Sequence, residues 1–133
     1  MLVLRKKINK SNVKFLCVSG NTSSGFYHRV KFYVNDSLKG ESKINYYNRT
    51  WETFTYQTAC NSALNVAYND IYNDYIKRYK NELNKNRISQ KEKDYIRVEM
   101  EKNNSIIQTI LKAKKIIKKS NNANEFKKEY FNI

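Results

Sequence analysis

The feature that most limits this chain is a change of hydrophobic period near residue 50. Before it apolar residues recur at every second position, and after it at every third or fourth. Such a chain buries both stretches together as a sheet laid on helices, which predicts an α+β fold. No Pro and only 3 Gly interrupt either stretch, and 133 residues suffice for one domain.

Phe26 to Val34 is the cleanest strand, with Phe26, His28, Val30, Phe32 and Val34 on one side and Tyr27, Arg29, Lys31 and Tyr33 on the other. Asn12 to Ser19 is a second strand, with Val13, Phe15 and Cys17 opposite Lys14, Leu16 and Val18. Ser19 to Gly25 reads as a loop, and Asn35 to Gly40 as a turn into a third strand from about Glu41 to Tyr47. Leu2 to Ile8 offers a fourth strand, joined through Asn9 to Asn12.

Cys60, Leu64, Ala67, Ile71, Tyr75, Tyr79 and Leu83 place a long amphipathic helix from about Thr55 to Leu83, capped by Thr53 or Thr55. Ser89-Gln90-Lys91-Glu92 is a capping signal for a second helix to about Lys119, and Ala123 to Phe131 suits a short terminal helix. The expected architecture is a three- to four-stranded antiparallel sheet packed on a long helix, followed by a helical hairpin and a short C-terminal helix. Sheet and first helix fill residues 1–84. Residues 85–133 form a helical extension packed on the first helix, so that the whole is one compact domain. Ile96, Asn103, Ile110 and Ile117, seven apart, suit an antiparallel hairpin better than a coiled-coil seam, and both a monomer and a homodimer stay open.

Charge narrows the function. The chain carries 26 Lys and Arg against 12 Asp and Glu, a net +14. Residues 1–58 hold 10 basic and 3 acidic groups and residues 59–133 hold 16 and 9, so each part contributes +7. The charge is spread over a folded body and is no detachable basic tail, which favours a broad docking surface on a polyanion. The alternative source for part of it is AT-rich codon use, since Asn, Lys, Ile and Tyr are all abundant. No apolar run is long enough to span a membrane. Met1-Leu2-Val3-Leu4 precedes Arg5-Lys6-Lys7, the reverse of a secretory leader, so a cytoplasmic protein is expected. Cys17 and Cys60 sit in apolar patterns as reduced core thiols.

Little in the sequence speaks for catalysis. The one His, His28, falls mid-strand on the apolar face, where a satisfied core histidine is the expectation. One His and two distant Cys make no zinc site, and no cofactor is implied. Asp36, Glu41 and Lys43 form the only constellation with enzyme potential, that of a metal-dependent nuclease. Against it, Asp36 already serves the geometry of an Asn-Asp turn. The Ser19–Gly25 segment lacks the Gly-Lys-Ser/Thr ending of a phosphate-binding loop.

The binding reading has a specific surface. If Val30, Phe32, Val34, Ile44 and Tyr46 pack under the first helix, the opposite face shows Tyr27, Arg29, Lys31, Tyr33, Lys43, Asn45 and Tyr47. Cations there meet phosphates and Tyr rings stack on unpaired bases; the alternative is a solvated strand face. A second patch runs through Lys112, Lys114, Lys115, Lys118, Lys119, Lys127 and Lys128, suited to duplex phosphates, to an acidic protein or to the helix dipole alone. Tyr68, Tyr72, Tyr75 and Tyr79 form a row on the first helix, read as its packing face against the second, the alternative being an exposed protein-binding strip.

Asn48-Arg49-Thr50-Trp51-Glu52-Thr53-Phe54-Thr55-Tyr56-Gln57-Thr58 resembles a stretch of small uncharacterised phage and plasmid proteins of AT-rich bacteria. As a strand-to-helix joint it would wedge Trp51 and Phe54 between sheet and helix and leave Arg49 and Glu52 to pair or to meet a partner. The resemblance implies a mobile-element protein of the bacterial host cell, without enzymatic activity. Its partners would be nucleic acid or a nucleoprotein nuclease complex of host defence, inhibited as anti-CRISPR proteins inhibit theirs.

Overall fold

The structure, a computed structural model, describes residues 2–85 and 88–119. It is α+β. Four strands, β1 (Leu2–Ile8), β2 (Ser11–Asn21), β3 (Phe26–Val34) and β4 (Ser37–Tyr46), pair antiparallel in the order β1-β2-β3-β4. A 3₁₀ turn (Arg49–Trp51) leads into α1 (Glu52–Ile71), which passes through a π-helical turn (Tyr72–Ile76) into α2 (Lys77–Leu83). Helix α3 spans Gln90–Lys119. The short helix expected at Ala123 to Phe131 lies outside the described residues.

Two tight turns set the register of the sheet. Asn9 and Lys10 (φ 51° and 65°) link β1 to β2, and Asn35 and Asp36 (φ 48° and 67°) link β3 to β4. Paired positive φ values match the right-handed twist of the flanking strands, and Asn is among the few side chains that tolerate them. The two turns meet at Asn12, whose carbonyl accepts the Asn35 amide at 2.8 Å. The Asn12 amide in turn donates to Asn35 Oδ1 at 2.9 Å.

Three strand limits differ from the sequence reading. β2 runs on through Ser19 and Gly20 to Asn21, leaving only residues 22–25 as a turn, because the Tyr27 ring lies across Gly20 and fills the space its missing side chain leaves. β4 starts at Ser37, so Gly40 is not a turn residue but sits mid-strand opposite Phe32. Tyr47 falls just beyond β4, which ends at Tyr46.

Alternation sorts the sheet into two faces. Leu4, Ile8, Val13, Phe15, Cys17, Val30, Phe32 and Val34 are buried on the inner face in one cluster with Ala59, Cys60, Ala63, Leu64 and Ala67 of α1. Ile107, Ile110, Ala113 and Ile117 of α3 join the same cluster. The helix comes very close at β4. Ala59, Ala63 and Ala67 make a low ridge along α1 that rests on Gly40, and the Ser42 hydroxyl donates to the Ala59 carbonyl at 2.6 Å. Cys17 and Cys60 are free thiols buried between β2 and α1. Burial pushes the Cys60 thiol well up and Cys17 beside it adds to the rise, so Cys60 stays neutral and serves packing.

Helix α1 begins at Glu52, three residues before the expected start, with Trp51 at the cap and no side-chain cap bond. The preceding 3₁₀ turn takes the place of the Thr53 or Thr55 cap, and Thr55 is buried. At the other end, the π-helical turn carries one extra residue and rotates the tyrosine row. Tyr68 packs on the core, while Tyr72 and Tyr75 face solvent. Gln57, near the start of α1, donates to the carbonyl of Ile117, near the end of α3, at 2.6 Å. Ile76, Lys80 and Leu83 share a notch with Arg97, Met100 and Glu101 near the start of α3. Asn103 is half-buried and spends its amide on the Glu99 carbonyl of its own helix at 3.0 Å.

The Ser89 hydroxyl accepts the Glu92 amide at 3.2 Å, as the capping signal requires. Ser89→Ala is expected to lower stability by about 1 kcal/mol, read as a shifted urea midpoint with an unchanged slope.

Candidate functional site

The candidate site is the outer face of the sheet. Register places Arg5, Lys7, Lys14, Arg29, Lys31 and Lys43 there, with Glu41 the one carboxylate among the described strands. Tyr27 and Tyr33 stand among them, and Leu16, Val18 and Leu38 supply apolar surface between. None of these side chains is buried, whereas the inner-face residues and their helical partners form the core. Among the described residues no helix contributes to this face.

Two pairings on the face work against stability. Arg5 is the direct cross-strand partner of Lys14, and Arg29 of Lys43. Like charges directly opposite on one sheet face repel. Each pair has a ring beside it: Lys14 Nζ lies 4.5 Å from the centre of the Tyr33 ring, and Lys43 Nζ lies 4.7 Å from that of Tyr27. The cation–π contacts hold one member of each pair and leave the other, Arg5 or Arg29, exposed. Midway between them Lys31 faces Glu41. The arrangement is thus a repeated unit of two cations and one Tyr, once near each end of β3.

The residues singled out in the sequence are divided by the structure. Tyr27, Arg29, Lys31, Tyr33, Lys43 and Asn45 share the outer face. Tyr47 stands at its end, 73% exposed. Lys112 and Lys115 lie elsewhere, on α3, where Lys112 donates to Asn9 Oδ1 in the first turn and Lys114 lies over the Tyr68 ring at 5.7 Å. The side chains of Arg49, Lys118 and Lys119, like Lys127 and Lys128, lie outside the described residues. Sequence reasoning missed Arg5, Lys7 and Lys14 as members of the face. The signal was present, since the alternation of β1 and β2 puts all three opposite the core side once the strands are in register.

Asp36, Glu41 and Lys43 do not form one centre. Asp36 is held in the turn, at the mouth of a groove of about 470 Å³ lined by Arg5, Lys6, Lys7 and Lys14. Glu41 faces Lys31 further up the sheet, and Lys43 lies over Tyr27. Among the described residues no three His, Cys, Asp or Glu gather as metal ligands, and no helix is long and apolar enough to cross a membrane.

His28 is buried beneath the exposed Ser19 and the half-buried Tyr56. Its ring stacks with Tyr56, at 3.5 Å, and with Tyr46, at 4.6 Å. Ser19 Oγ is 2.7 Å from His28 Nδ1 and 2.5 Å from the Tyr56 hydroxyl. A Ser–His contact of that length can activate a nucleophile. Here the imidazole is fully buried, and the same hydroxyl ties β2 and β3 to α1 through Tyr56.

No family model matches the chain, and no curated protein and no solved structure matches it significantly. The geometry of the outer face carries the functional reading.

Proposed function

We propose that the chain is a non-enzymatic binding protein that acts by occupancy, holding single-stranded nucleic acid on the outer face of its sheet. One observation carries this: the directly opposed like-charged pairs Arg5–Lys14 and Arg29–Lys43, each set beside a tyrosine. Such pairs cost stability unless an anion settles between them, and a phosphate backbone supplies anions at regular intervals. The rings supply flat apolar surface at the same places, on which unpaired bases stack whatever their sequence. A second copy of the chain is a poor occupant, because two such faces would oppose cation to cation. The packing layout in this proposal is a sheet backed by α1 and by a helical hairpin closed by α3, with the helices all on the other side from this face.

Anisotropy of a labelled single-stranded oligonucleotide over a range of salt tests the reading. With six cations engaged, the slope of log affinity against log salt is expected near −4, so that a fourfold rise in salt weakens binding roughly 250-fold. A flat salt response, or no binding at low salt, sinks it.

A second reading, closer to the mobile-element resemblance, makes the occupant a nucleic-acid-bound defence nuclease of the bacterial host, met in the cytoplasm. Leu38, 48% exposed, and Val18, 38% exposed, favour it, since they offer a protein an apolar foothold within the basic face. Pull-down from host lysate with and without nuclease digestion separates the two. A partner lost on digestion is nucleic acid, and one that survives is protein.

A further inference from the structure

Beyond the end of β4 the chain builds a notch that the basic face does not explain. Tyr47 and Trp51, 73% and 55% exposed, stand at a cavity of about 350 Å³ whose floor is Ile44, Tyr46, Thr55 and Thr58. Large aromatic side chains left this exposed forgo much of the stabilisation that burial would give them. The backbone that carries these walls is nevertheless held in place. Gly25 presses against Tyr47 so closely that an added Cβ would stand 2.9 Å from its ring and 2.7 Å from the Tyr46 carbonyl oxygen. On the other side, Asn48 Oδ1 accepts the Thr50 amide at 3.0 Å, and the Asn48 carbonyl accepts the Trp51 amide at 2.9 Å.

The notch opens on the inner side of β4, at the sheet edge where that strand meets α1, and borders the outer face across that edge. Asn45 belongs to both, as the cross-strand partner of Tyr27 and as a lining residue of the cavity. A strand of nucleic acid lying over Arg29, Lys43 and Tyr27 reaches this opening by turning over the β4 edge at Asn45. We infer that the notch takes one unpaired nucleobase, stacked on Tyr47 and Trp51, with the amides of Asn45 and Asn48 at the rim for the base edge. The chemistry distinguishes a base from an aliphatic side chain. A base is flat, matches aromatic walls, carries donors and acceptors on its edge, and arrives attached to a phosphate that the neighbouring cations attract. The inference rests on the nucleic-acid reading of the outer face and assigns it a discrete end pocket.

Trp51 is the one Trp in the chain, so its emission reports on this notch alone. The test titrates the full chain with a thymidine oligonucleotide of about ten residues and with an abasic oligomer of the same length. Anisotropy of a label on the oligomer records binding, and Trp emission records the notch. Binding of both oligomers, with Trp51 emission quenched only by the one that has bases, is the expected result. Tyr47→Ala should weaken thymidine binding roughly tenfold and leave abasic binding unchanged, the signature of a lost stacking partner. At its exposed position the variant should fold as the parent does, which its thermal melt checks. Thymidine binding with unchanged Trp51 emission overturns the notch and leaves the outer face standing. Absence of binding by either oligomer overturns both.

Discussion

Gly40→Val is expected to abolish the native fold, and Gly40→Ala to lower stability by about 3 kcal/mol or more. A Cβ at position 40 would stand 2.2 Å from the carbonyl oxygen of Ala63 and 2.9 Å from the amide nitrogen of Ala67. Both are backbone atoms of α1, so the clash is relieved only by lifting the helix off the sheet. That movement would also part the Ala59–Ala63–Ala67 ridge from β4 and break the bond from Ser42 to the Ala59 carbonyl. A small domain holds about 5–15 kcal/mol in all, and valine adds two methyl groups to an already impossible contact. Urea unfolding followed by circular dichroism measures the loss. A Gly40→Val chain with the parent midpoint would refute the close approach of helix and sheet.

Replacing both Tyr27 and Tyr33 by Leu is expected to weaken single-strand binding by roughly two orders of magnitude, since each stacked base contributes about 1–3 kcal/mol. Leucine keeps apolar bulk over Gly20 but has no π face. The salt slope should not move, because every cation remains. Arg29→Gln should do the reverse, lowering the slope by roughly 0.7 while raising stability by about 0.2–1 kcal/mol as the opposed pair with Lys43 is relieved. The paired measurement is decisive: a face kept only for solvation would gain the stability and lose no affinity.

Much of this face is legible in the sequence. The alternation over Phe26–Val34 is long and uninterrupted, and β3 occupies those residues with Tyr27, Arg29, Lys31 and Tyr33 outward. Period-2 patterning gave both the strand and its orientation there, because burial on one face dictates side-chain type at every second position. The misread features are those whose cause lies far along the chain. Gly20 and Gly40 carry the local signature of turns, yet one is covered by Tyr27 and the other by the α1 backbone. Ser19 looked like a loop residue because its partners, His28 and Tyr56, lie 9 and 37 positions away. The start of α1 escaped because a 3₁₀ turn, not a capping side chain, receives it. The tyrosine row was assigned to one packing surface on a uniform helical period, which the π-helical turn at Tyr72–Ile76 interrupts.

The run Arg5-Lys6-Lys7 has a consequence for how the chain behaves in a crowded solution. Among the described strands β1 is one border of the sheet, and a border strand rich in Val, Leu and Ile invites a neighbouring molecule to add itself as a further strand. Three consecutive cations make that addition repulsive along the middle of the strand, where a newcomer with the same sequence would bring three more. The basic character that suits the outer face to a polyanion also guards the fold against joining others of its kind edge to edge. A polyanion that neutralised β1 would remove that guard.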